Sequence, residues 1–566
     1  MEAKEKNYIQ NKGITLVALV ITIVILLILA GISISTLTNT GIFQKAKDAK
    51  QKSENAHKEE ESFLTEYEKE ILKQDSNGIW DGNVNKPELM TGMKAIQFNE
   101  PTDTTEGSVK KVDNSNATDW YDYKTKKWAN AQTEDGSMWV WIPRYAYKVV
   151  YNDPSDKSKG GKFDIVFLIG TTDNYIDDNG NIQTAQRQTE KNQVIETDST
   201  KTDKYTVHPA FTNESSIDYA NGGWNKELTG IWVAKFEAGY ASGNNRAEVK
   251  SSNVNYSQSD SVVWSGEAGT SIDSIQDARN WIDGIYGQTI TPIKYPTFQG
   301  LTYAMNYINQ GDAFSISRAL TDNKNISGFN NNSTDSHLIK NSEWGAIVYL
   351  SQSKFGLDGE NIVINNVTVS NSTQSVYIIT GCAGNDANAN AIETTIEKLN
   401  NRNQEDVYIW KEKKGTKAST TGTIYGIYDM SGGLWERSSA LVNNDQECLK
   451  KYGKSIMASL NNGKSSEYVT VYPTGEISGQ NLNDAGRANY AVDTQIYGDA
   501  IRETSEALMR SDTWFYDYSL FVGSGSPFFI RGGYYKNTTA AGLFFFARHH
   551  GFNDYNYGFR TVLVEK

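Results

Sequence analysis

The longest apolar run in the chain lies near its N-terminus. From Ile14 to Ile34, 21 residues pass without a charged side chain, and a helix of that length spans roughly 30 Å, the thickness of the hydrocarbon core of a bilayer. Helix-forming residues follow, with apolar side chains recurring at helical spacing. The pattern predicts a membrane-spanning and stem helix over residues 14–75. A cleaved secretory signal is the alternative, although such signals have shorter apolar cores of about 7–15 residues.

Beyond the stem, short apolar runs are separated by Gly, Asn, Asp and Ser. Residues 76–137 carry few aliphatic side chains and are interpreted as a linker with a small hairpin. Alternating aromatic and polar residues predict strands, beginning with 138–151, whereas apolar spacing predicts helices around 301–308 and 342–350. Irregular interleaving of strands and helices favours an α+β fold, with a long N-terminal membrane-spanning helix followed by an irregular head over residues 138–566.

Charge and cysteine content exclude several classes of function. The 566-residue chain has a formal net charge of −13, and no basic stripe with interleaved aromatics is present, so we expect no nucleic-acid partner. Only Cys382 and Cys448 occur. They build neither a disulfide framework nor a cysteine zinc site, and whether they bond to each other is left open by the sequence.

The boundary of the apolar run carries a motif, Lys12 and Gly13 followed by Ile14 and a long apolar segment. This arrangement resembles the N-terminus of type IV pilins and pseudopilins. The resemblance implies leader-peptidase cleavage between Gly13 and Ile14. It also implies a single-pass anchor in the cell membrane with an extracellular C-terminal head, and pilus or pseudopilus components as partners. Ala18 stands at the fifth mature position, where the family usually has an acidic residue that helps register subunits in filaments.

Two C-terminal stretches combine glycine turns, aromatic residues and arginine: YGIYDMSGGLWERSS at 425–439, and the region 529–564, which contains FIRGGYY and YGFR. They resemble the formylglycine-generating (sulfatase-modifying) enzyme family, whose patterns are D/N-M-S-G-N-x-W-E-W, R-G-G-S-W and G-F-R. The resemblance implies a C-type-lectin-like core over roughly residues 138–566. The paired cysteines that such enzymes carry near the end of the domain have no counterpart after Cys448. We therefore predict that the protein is not an enzyme of this kind.

The same resemblance implies a calcium site. Its ligands would be the side chains of Asp429 and Glu436 and the backbone carbonyls of Gly432 and Leu434. Calcium takes about six to eight oxygen ligands, so these groups with water would suit it. The alternative is a hydrogen-bonded turn that places Trp435 in the core.

The segment from Tyr534 to Tyr557 is unusually dense in aromatic, histidine and small polar residues, the composition of binding loops. Flanked by R-G-G and G-F-R, it resembles the variable proteins of diversity-generating retroelements, in which mutated template adenines change asparagine codons to Phe, Tyr, His, Asp or Ser codons. The resemblance implies a ligand-contacting surface formed by Tyr534, Tyr535, Phe544, Phe545, Phe546, His549, His550, Phe552, Asn553, Asp554, Tyr555, Asn556 and Tyr557. Alternatively, Phe544 to Phe546 close the core.

These inferences together predict a membrane-anchored, surface-displayed ligand-binding protein of the adhesin or receptor type. Its C-terminal segment would contact an unknown protein or surface ligand and would be diversified by a retroelement. Calcium is the only cofactor indicated. The alternatives are a minor pilin or pseudopilin with a structural role and, less favoured, a formylglycine-generating-type enzyme.

Overall fold

The structure is a computed structural model that divides into two units, Met1–Asp75 and Ser76–Lys566, and each is described by itself. The residues that it describes are 20–29, 45, 47–53, 55–56, 80–112, 120–190, 193–213, 223–240, 296–306, 308–321, 329, 333–369, 377–384, 391–401, 403, 405–475, 482–492, 496–506 and 512–566.

The described residues of the first unit are helical, including 20–29 with its exposed apolar side chains. Across the described ranges of the whole chain, no helix is both long and apolar enough to cross a membrane. The predicted membrane-spanning helix is therefore wrong, and with it the single-pass cell-membrane localisation and the fold class that included such a helix. The predicted cleavage site between Gly13 and Ile14 lies outside the described residues.

The second unit is built mainly from short strands, which also departs from the predicted α+β class. In chain order its described strands are β1 (Lys94–Asn99), β2 (Ser108–Lys111), β3 (Asn130–Gln132), β4 (Met138–Pro143), β5 (Tyr145–Tyr151), β6 (Gly161–Phe167), β7 (Asn174–Ile176), β8 (Ile182–Thr184), β9 (Thr206–Val207), β10 (Gly230–Ala234), β11 (Gly239–Tyr240), β12 (Pro296–Thr297), β13 (Thr334–Leu338), β14 (Val367–Val369), β15 (Tyr377–Ile378), β16 (Cys382–Gly384), β17 (Ile392–Thr394), β18 (Val407–Ile409), β19 (Trp435–Val442), β20 (Thr470–Tyr472), β21 (Phe528–Arg531), β22 (Phe546–His549), β23 (Tyr557–Phe559) and β24 (Thr561–Glu565).

The α-helices of this unit are few and short. In the described ranges they are α1 (Gln310–Ala319), α2 (Asn341–Ser351), α3 (Ile396–Asn400), α4 (Glu447–Tyr452), α5 (Lys454–Ala458) and α6 (Leu482–Val492). The helix predicted around 342–350 is confirmed as α2, which is buried along its whole length. Among the described residues of 301–308, none is helical, so that prediction is wrong. Helix α1 begins later, where the side chain of Asn309 caps it by accepting a hydrogen bond from the N–H of Asp312.

A seven-stranded sheet forms the larger part of the framework, in the order β13-β24-β10-β4-β3-β1-β2. Three of its strands come from residues 76–137, so the region predicted to be a linker is an integral part of the sheet. The last strand of the chain, β24, lies between β10 and β13 and pairs antiparallel with both. The centre of the sheet is aromatic, since Trp141 of β4 lies opposite Trp232 of β10.

A second sheet is organised around β19, in the order β20-β19-β21-β22. Strand β20 pairs with the C-terminal half of β19, whereas β23 pairs in parallel with its N-terminal half. A buried ion pair connects this sheet to the larger one: the guanidinium of Arg560 contacts the carboxylate of Glu436 on β19 and donates to the carbonyl of Ala234 on β10 at 2.8 Å. The two sheets are thus joined just where the predicted binding segment ends.

Candidate functional site

The predicted binding segment, residues 534–557, is fixed between strands of the C-terminal sheet. Strand β21 leads into it, β22 lies within it, and β23 ends it, with Tyr557 opposite Trp435 of β19. Directly after β21, Gly532 and Gly533 have φ values of 80° and 77°, a conformation that side-chain-bearing residues adopt only at a cost. These glycines let the chain turn out of the sheet at the start of the segment.

About half of the predicted contact residues are buried. Phe544 packs 5.0 Å from Trp514, and Phe545 packs 5.7 Å from Tyr518, measured between ring centroids. Their side chains fill the interior, so they would support a contact surface rather than form it. The buried members are Tyr535, Phe544, Phe545, Phe546, His549, Asn556 and Tyr557.

The other predicted contact residues reach the surface. His550 is exposed, and Tyr534, Phe552, Asn553, Asp554 and Tyr555 are partly exposed. Most of them belong to one loop, residues 550–556. Its backbone is held from within the protein, because Asn306 Nδ2 donates to the carbonyl of Tyr555 at 2.9 Å and Arg437 Nη2 donates to that of Phe552 at 2.6 Å. The loop therefore presents its side chains from an anchored backbone.

Six rings form a continuous row, here called the aromatic ladder. In order they are Tyr535, Tyr534, Trp435, Tyr557, His549 and Phe552, with successive ring centroids 5.1, 4.1, 5.2, 4.0 and 4.5 Å apart. Aromatic pairs at such spacings contribute roughly 0.5–1.5 kcal/mol each beyond their burial, so the row is mutually supporting. Tyr534, Trp435 and Phe552 are partly exposed, and the ladder thus offers ring surface to the solvent.

Asn537 organises the first half of the aromatic ladder. Its Oδ1 accepts a hydrogen bond from the backbone N–H of Tyr534 at 2.8 Å and another from Trp435 Nε1 at 2.9 Å. Its own backbone N–H donates to the carbonyl of Tyr534 at 2.8 Å. One side chain therefore closes the turn and fixes the indole against the tyrosine ring.

Arg437 lies against the second half of the ladder, and His549 is one of its rings; the charge states of these two groups determine the charge there. Burial lowers the pKa of Arg437 to about 10, so its guanidinium, 4.8 Å from the ring centroid of Tyr557, is charged at neutral pH. Burial and the charge of Arg437 lower the pKa of His549 to about 2. His549 Nδ1 accepts a hydrogen bond from the N–H of Gly551 at 3.0 Å, which places the proton on Nε2. Neither group changes its charge near neutral pH.

Three buried polar atoms of the segment have no hydrogen-bond partner among the residues that the structure describes: Tyr535 Oη, His549 Nε2 and Asn556 Oδ1. An unpaired buried polar group costs roughly 1–3 kcal/mol, and most such groups in folded proteins are paired. Packing alone does not account for polar side chains at these positions. A departure of this kind from good packing is typical of functional segments.

The carboxylates predicted to bind calcium already have partners. Asp429 Oδ1 accepts hydrogen bonds from Asn365 Nδ2 at 2.9 Å and from the N–H of Gly381 at 2.8 Å. Both oxygens of Glu436 lie against the guanidinium of Arg560, with Nε 2.9 Å from Oε2. Burial raises the pKa of Asp429 and of Glu436, the charge of Arg560 opposing it in both.

The backbone positions of the predicted calcium site form a tight turn. Gly432 has a φ of 80°, and the N–H of Leu434 donates to Glu237 Oε1 at 2.9 Å. Within the described ranges, no group of three or more acidic, histidine or cysteine side chains is placed to hold a metal ion. Because Arg560 supplies positive charge at Glu436, these residues do not fit a calcium ion as arranged, and we derive no role for one. Their geometry agrees with a hydrogen-bonded turn, but Trp435 is partly exposed, so the part of that alternative that places Trp435 in the core is wrong.

The sequence did not single out Tyr518, Leu520 or the exposed face of Trp435 as part of a contact surface. All three are partly exposed and pack against the buried cluster of Ile530, Phe545, Ala547 and Tyr557. Ser519 forms a bridge with Phe546, which brings its two neighbours to the edge of β22. In the local sequence, only the alternation of Tyr518 and Leu520 could have indicated that these residues lie at this surface. It is too short to distinguish a strand edge from a loop.

No protein-family model matches this chain, and the search of curated proteins finds no match. The resemblances to pilins, to formylglycine-generating enzymes and to retroelement variable proteins therefore stay predictions from motifs.

Proposed function

We propose that this protein is a binding protein that recognises its ligand reversibly through the aromatic ladder and the adjoining loop 550–556. The observation that carries the proposal is the row of partly exposed rings held against a sheet. Three of the rings, Tyr534, Trp435 and Phe552, combine exposed surface with fixed neighbours.

The physical basis is preorganisation. Aromatic side chains have only two rotatable bonds, and rings that are already packed lose little further entropy when a ligand docks on them. Around the rings, Asn553 and Asp554 provide polar side chains at partly exposed positions. Rigid apolar contacts with adaptable polar groups beside them form the usual composition of a recognition surface.

The charge states of Arg437 and His549 favour binding over catalysis. General acid–base catalysis is most efficient when the pKa of the catalytic group lies near the working pH. The pKa values of Arg437 and His549, about 10 and about 2, lie far from it. These two groups therefore hold the surface in place rather than exchange protons with a ligand.

We also propose that the partly exposed positions of the segment vary between copies of the gene. Residues 552–555 read Phe, Asn, Asp and Tyr, all of which belong to the amino-acid set that mutation of asparagine codons produces. This proposal rests on the motif resemblance and on the surface location of these positions, and the population test given in the Discussion applies to it.

A fragment screen tests the binding proposal. Small aromatic, sugar and peptide fragments would be screened by ligand-observed NMR against the full chain and against Tyr534→Ala. We expect fragments that bind the wild type and weaken by about tenfold or more in the variant. Tyr408→Ala is the matched control, because Tyr408 is a partly exposed tyrosine on β18, outside the ladder. Fragments that bind all three proteins equally, or no binding at the ladder, would refute the proposal.

A further inference from the structure

A cavity of about 340 Å³ lies between the hairpin loop that joins β1 to β2 and the turn that follows β18. One wall is formed by loop residues 102–106, and the other by Tyr408 and residues 412–414. Small-molecule sites usually have volumes of about 300–1,000 Å³, so the cavity is large enough for a small ligand. None of its lining residues belongs to the aromatic ladder or to loop 550–556.

The two walls of the cavity are held together by their own contacts. The N–H of Gly107 donates to the carbonyl of Lys411 at 2.7 Å, and Lys413 Nζ lies 3.0 Å from Asp103 Oδ1. Gly107 is packed so closely that a Cβ atom there would lie 2.5 Å from Ile424 Cδ1. The loop is therefore fixed against the turn before any ligand binds, and a preformed site of this kind reduces the entropy lost on binding.

Tyr408 contributes an aromatic ring to one wall. The ring is partly exposed, and Lys414 Nζ lies 2.9 Å from its Oη and 4.6 Å from its centroid. On the same wall, Glu412 Oε2 accepts a hydrogen bond from the N–H of Ile409 at 2.8 Å. These contacts hold the phenol and the carboxylate in place, so an aromatic surface and charged groups lie side by side in this wall.

The opposite wall presents hydroxyl groups. Thr102 Oγ1 accepts hydrogen bonds from the N–H groups of Thr104 and Thr105 at 3.3 and 3.0 Å, which closes a tight turn. All three threonines are exposed, so their side chains contribute little to the packing of the core. A threonine hydroxyl both donates and accepts hydrogen bonds, and this wall can therefore pair with donors and acceptors of a ligand.

The charges that line the cavity disfavour a simple ion as its ligand. Both signs are present, with carboxylates and ammonium groups from Asp103, Glu106, Glu412, Lys413 and Lys414. The ammonium groups repel a metal cation, and the carboxylates repel a phosphate or carboxylate ligand. A neutral ligand with several hydroxyl groups pairs with both kinds of side chain, because a hydroxyl donates to a carboxylate and accepts from an ammonium group.

We propose that this cavity binds a neutral saccharide. The C–H face of a sugar ring would lie against Tyr408, while its hydroxyl groups would form hydrogen bonds with Glu412, Lys413 and Thr105. An aromatic surface with a few placed polar groups is the usual lining of a small-molecule site, and hydrogen bonds to ionised groups are roughly twice as strong as neutral ones. The proposal is independent of the ligand-binding role proposed for the aromatic ladder.

Saturation-transfer NMR on the full chain tests the proposal. The probes are glucose, galactose, N-acetylglucosamine, maltose and lactose, each without added metal ions. We expect binding of at least one of them, with a dissociation constant that rises by about tenfold or more in Tyr408→Ala. Thr105→Val removes one hydroxyl from an exposed loop position and should raise it severalfold. Tyr534→Ala, which alters the aromatic ladder, is the matched control and should leave it unchanged.

Two results would overturn the proposal. One is that none of the saccharides binds the wild type. The other is saccharide binding that Tyr408→Ala and Thr105→Val leave unchanged, including binding that weakens in Tyr534→Ala instead, which would assign the sugar to the ladder. Thr105→Val keeps the test decisive if Tyr408→Ala fails to fold. Neither result contradicts the proposal for the aromatic ladder, which concerns different residues.

Discussion

The indole of Trp435 and the phenol ring of Tyr534 lie 4.1 Å apart between centroids, at an interplanar angle of 40°. Trp435 begins β19, whereas Tyr534 lies in the turn after β21. The contact is fixed from one point, since Asn537 Oδ1 accepts a hydrogen bond from each of these two residues. The Trp435–Tyr534 contact of the aromatic ladder therefore depends on a single amide oxygen.

Replacing that amide should loosen the ladder. In Asn537→Ala the N–H of Tyr534 and Trp435 Nε1 lose their acceptor, and we expect a loss of about 1–3 kcal/mol in the free energy of unfolding, measured by urea denaturation. Asn537→Asp keeps an acceptor oxygen and should remain close to the wild type. Equal losses in the two variants would show that the acceptor is not the cause. Fragments that bind the ladder should weaken in Asn537→Ala.

Asp517 should make the protein less stable as the pH rises. Burial raises its pKa from an ordinary value of 3.8 to about 8; Oδ2 accepts from the N–H of Phe544, whereas Oδ1 has no partner among the described residues. The ordinary pKa applies to the unfolded chain and the raised pKa to the folded one. Between about pH 4 and pH 8, therefore, the unfolded chain releases this proton and the folded chain retains it. Stability contributed by the neutral acid is therefore lost across that range.

Replacing Asp517 with asparagine should remove this loss of stability with rising pH. Asp517→Asn should exceed the wild type in stability by an amount that grows with pH and reaches on the order of 5 kcal/mol above pH 8. Urea denaturation at a series of pH values measures it. Asp358→Asn, at a side chain with 50% exposure, is the control and should change little at any pH. A constant difference between Asp517→Asn and the wild type would refute the linkage.

Unlike Asp517, which stabilises the fold as a neutral acid, His337 should stabilise the fold in its charged form, as a cation between two carboxylates. Its Nε2 lies 2.8 Å from Glu343 Oε1 and its Nδ1 3.3 Å from Asp335 Oδ1. Burial acts to lower the pKa of His337, but these carboxylates outweigh it and raise the pKa. The stability that the charged imidazole contributes is complete below the unfolded value of 6.5 and is lost as the pH rises through the folded pKa.

Removing the His337 imidazole leaves the buried carboxylate of Glu343 without its main charged partner. We expect His337→Gln to lose about 3–5 kcal/mol near pH 6. Its deficit relative to the wild type should shrink as the pH rises through the folded pKa of His337, because both proteins share the contribution of Asp517. Thermal and urea unfolding from pH 5 to pH 9 would measure both effects. His550→Gln, at an exposed histidine, should leave the curve unchanged. A stability difference between His337→Gln and the wild type that stays constant across this range would contradict the assignment.

Burial predicts where a diversified segment can vary. Deep sequencing of the 3′ end of the gene in one population should find substitutions at the partly exposed positions Tyr534 and 552–555. The core positions Phe544 to Phe546 should stay constant, because truncating a buried phenylalanine costs about 3–5 kcal/mol. Lys536 should stay constant as well, because its codon does not arise from an asparagine codon. Uniform variation across 534–557, or none, would contradict the proposal of diversification.

Some features of the fold followed from local sequence alone. The alternation of aromatic residues over 138–151 predicts strands, and β4 and β5 occupy that range. The glycines after Arg531 predict a turn, and both adopt positive φ. Such features depend on residues that are close in sequence, so pattern and backbone preference are enough to identify them.

Other features were decided by contacts between distant parts of the chain. Residues 76–137 have few aliphatic side chains, yet they form β1 to β3. Strand β3 pairs with β4, β1 with β3 and β2 with β1, and this pairing satisfies their backbone groups. The chain near Ile14 to Ile34 has the composition of a membrane span, but no helix of the described part qualifies as one. Hydropathy over a window measures composition and leaves helix length and surroundings undetermined.

The candidate site likewise combines features determined by local sequence with features decided by contacts between distant parts of the chain. Sequence alone determined that residues 534–557 are dense in rings and small polar groups, because composition is a local property. Tertiary structure decided which of these rings are core and which are surface: β22 buries Phe546, whereas loop 550–556 leaves Phe552 partly exposed. It also brought in Trp435 from β19, since burial and ring stacking depend on which strands pair, and that pairing is a long-range property of the folded chain.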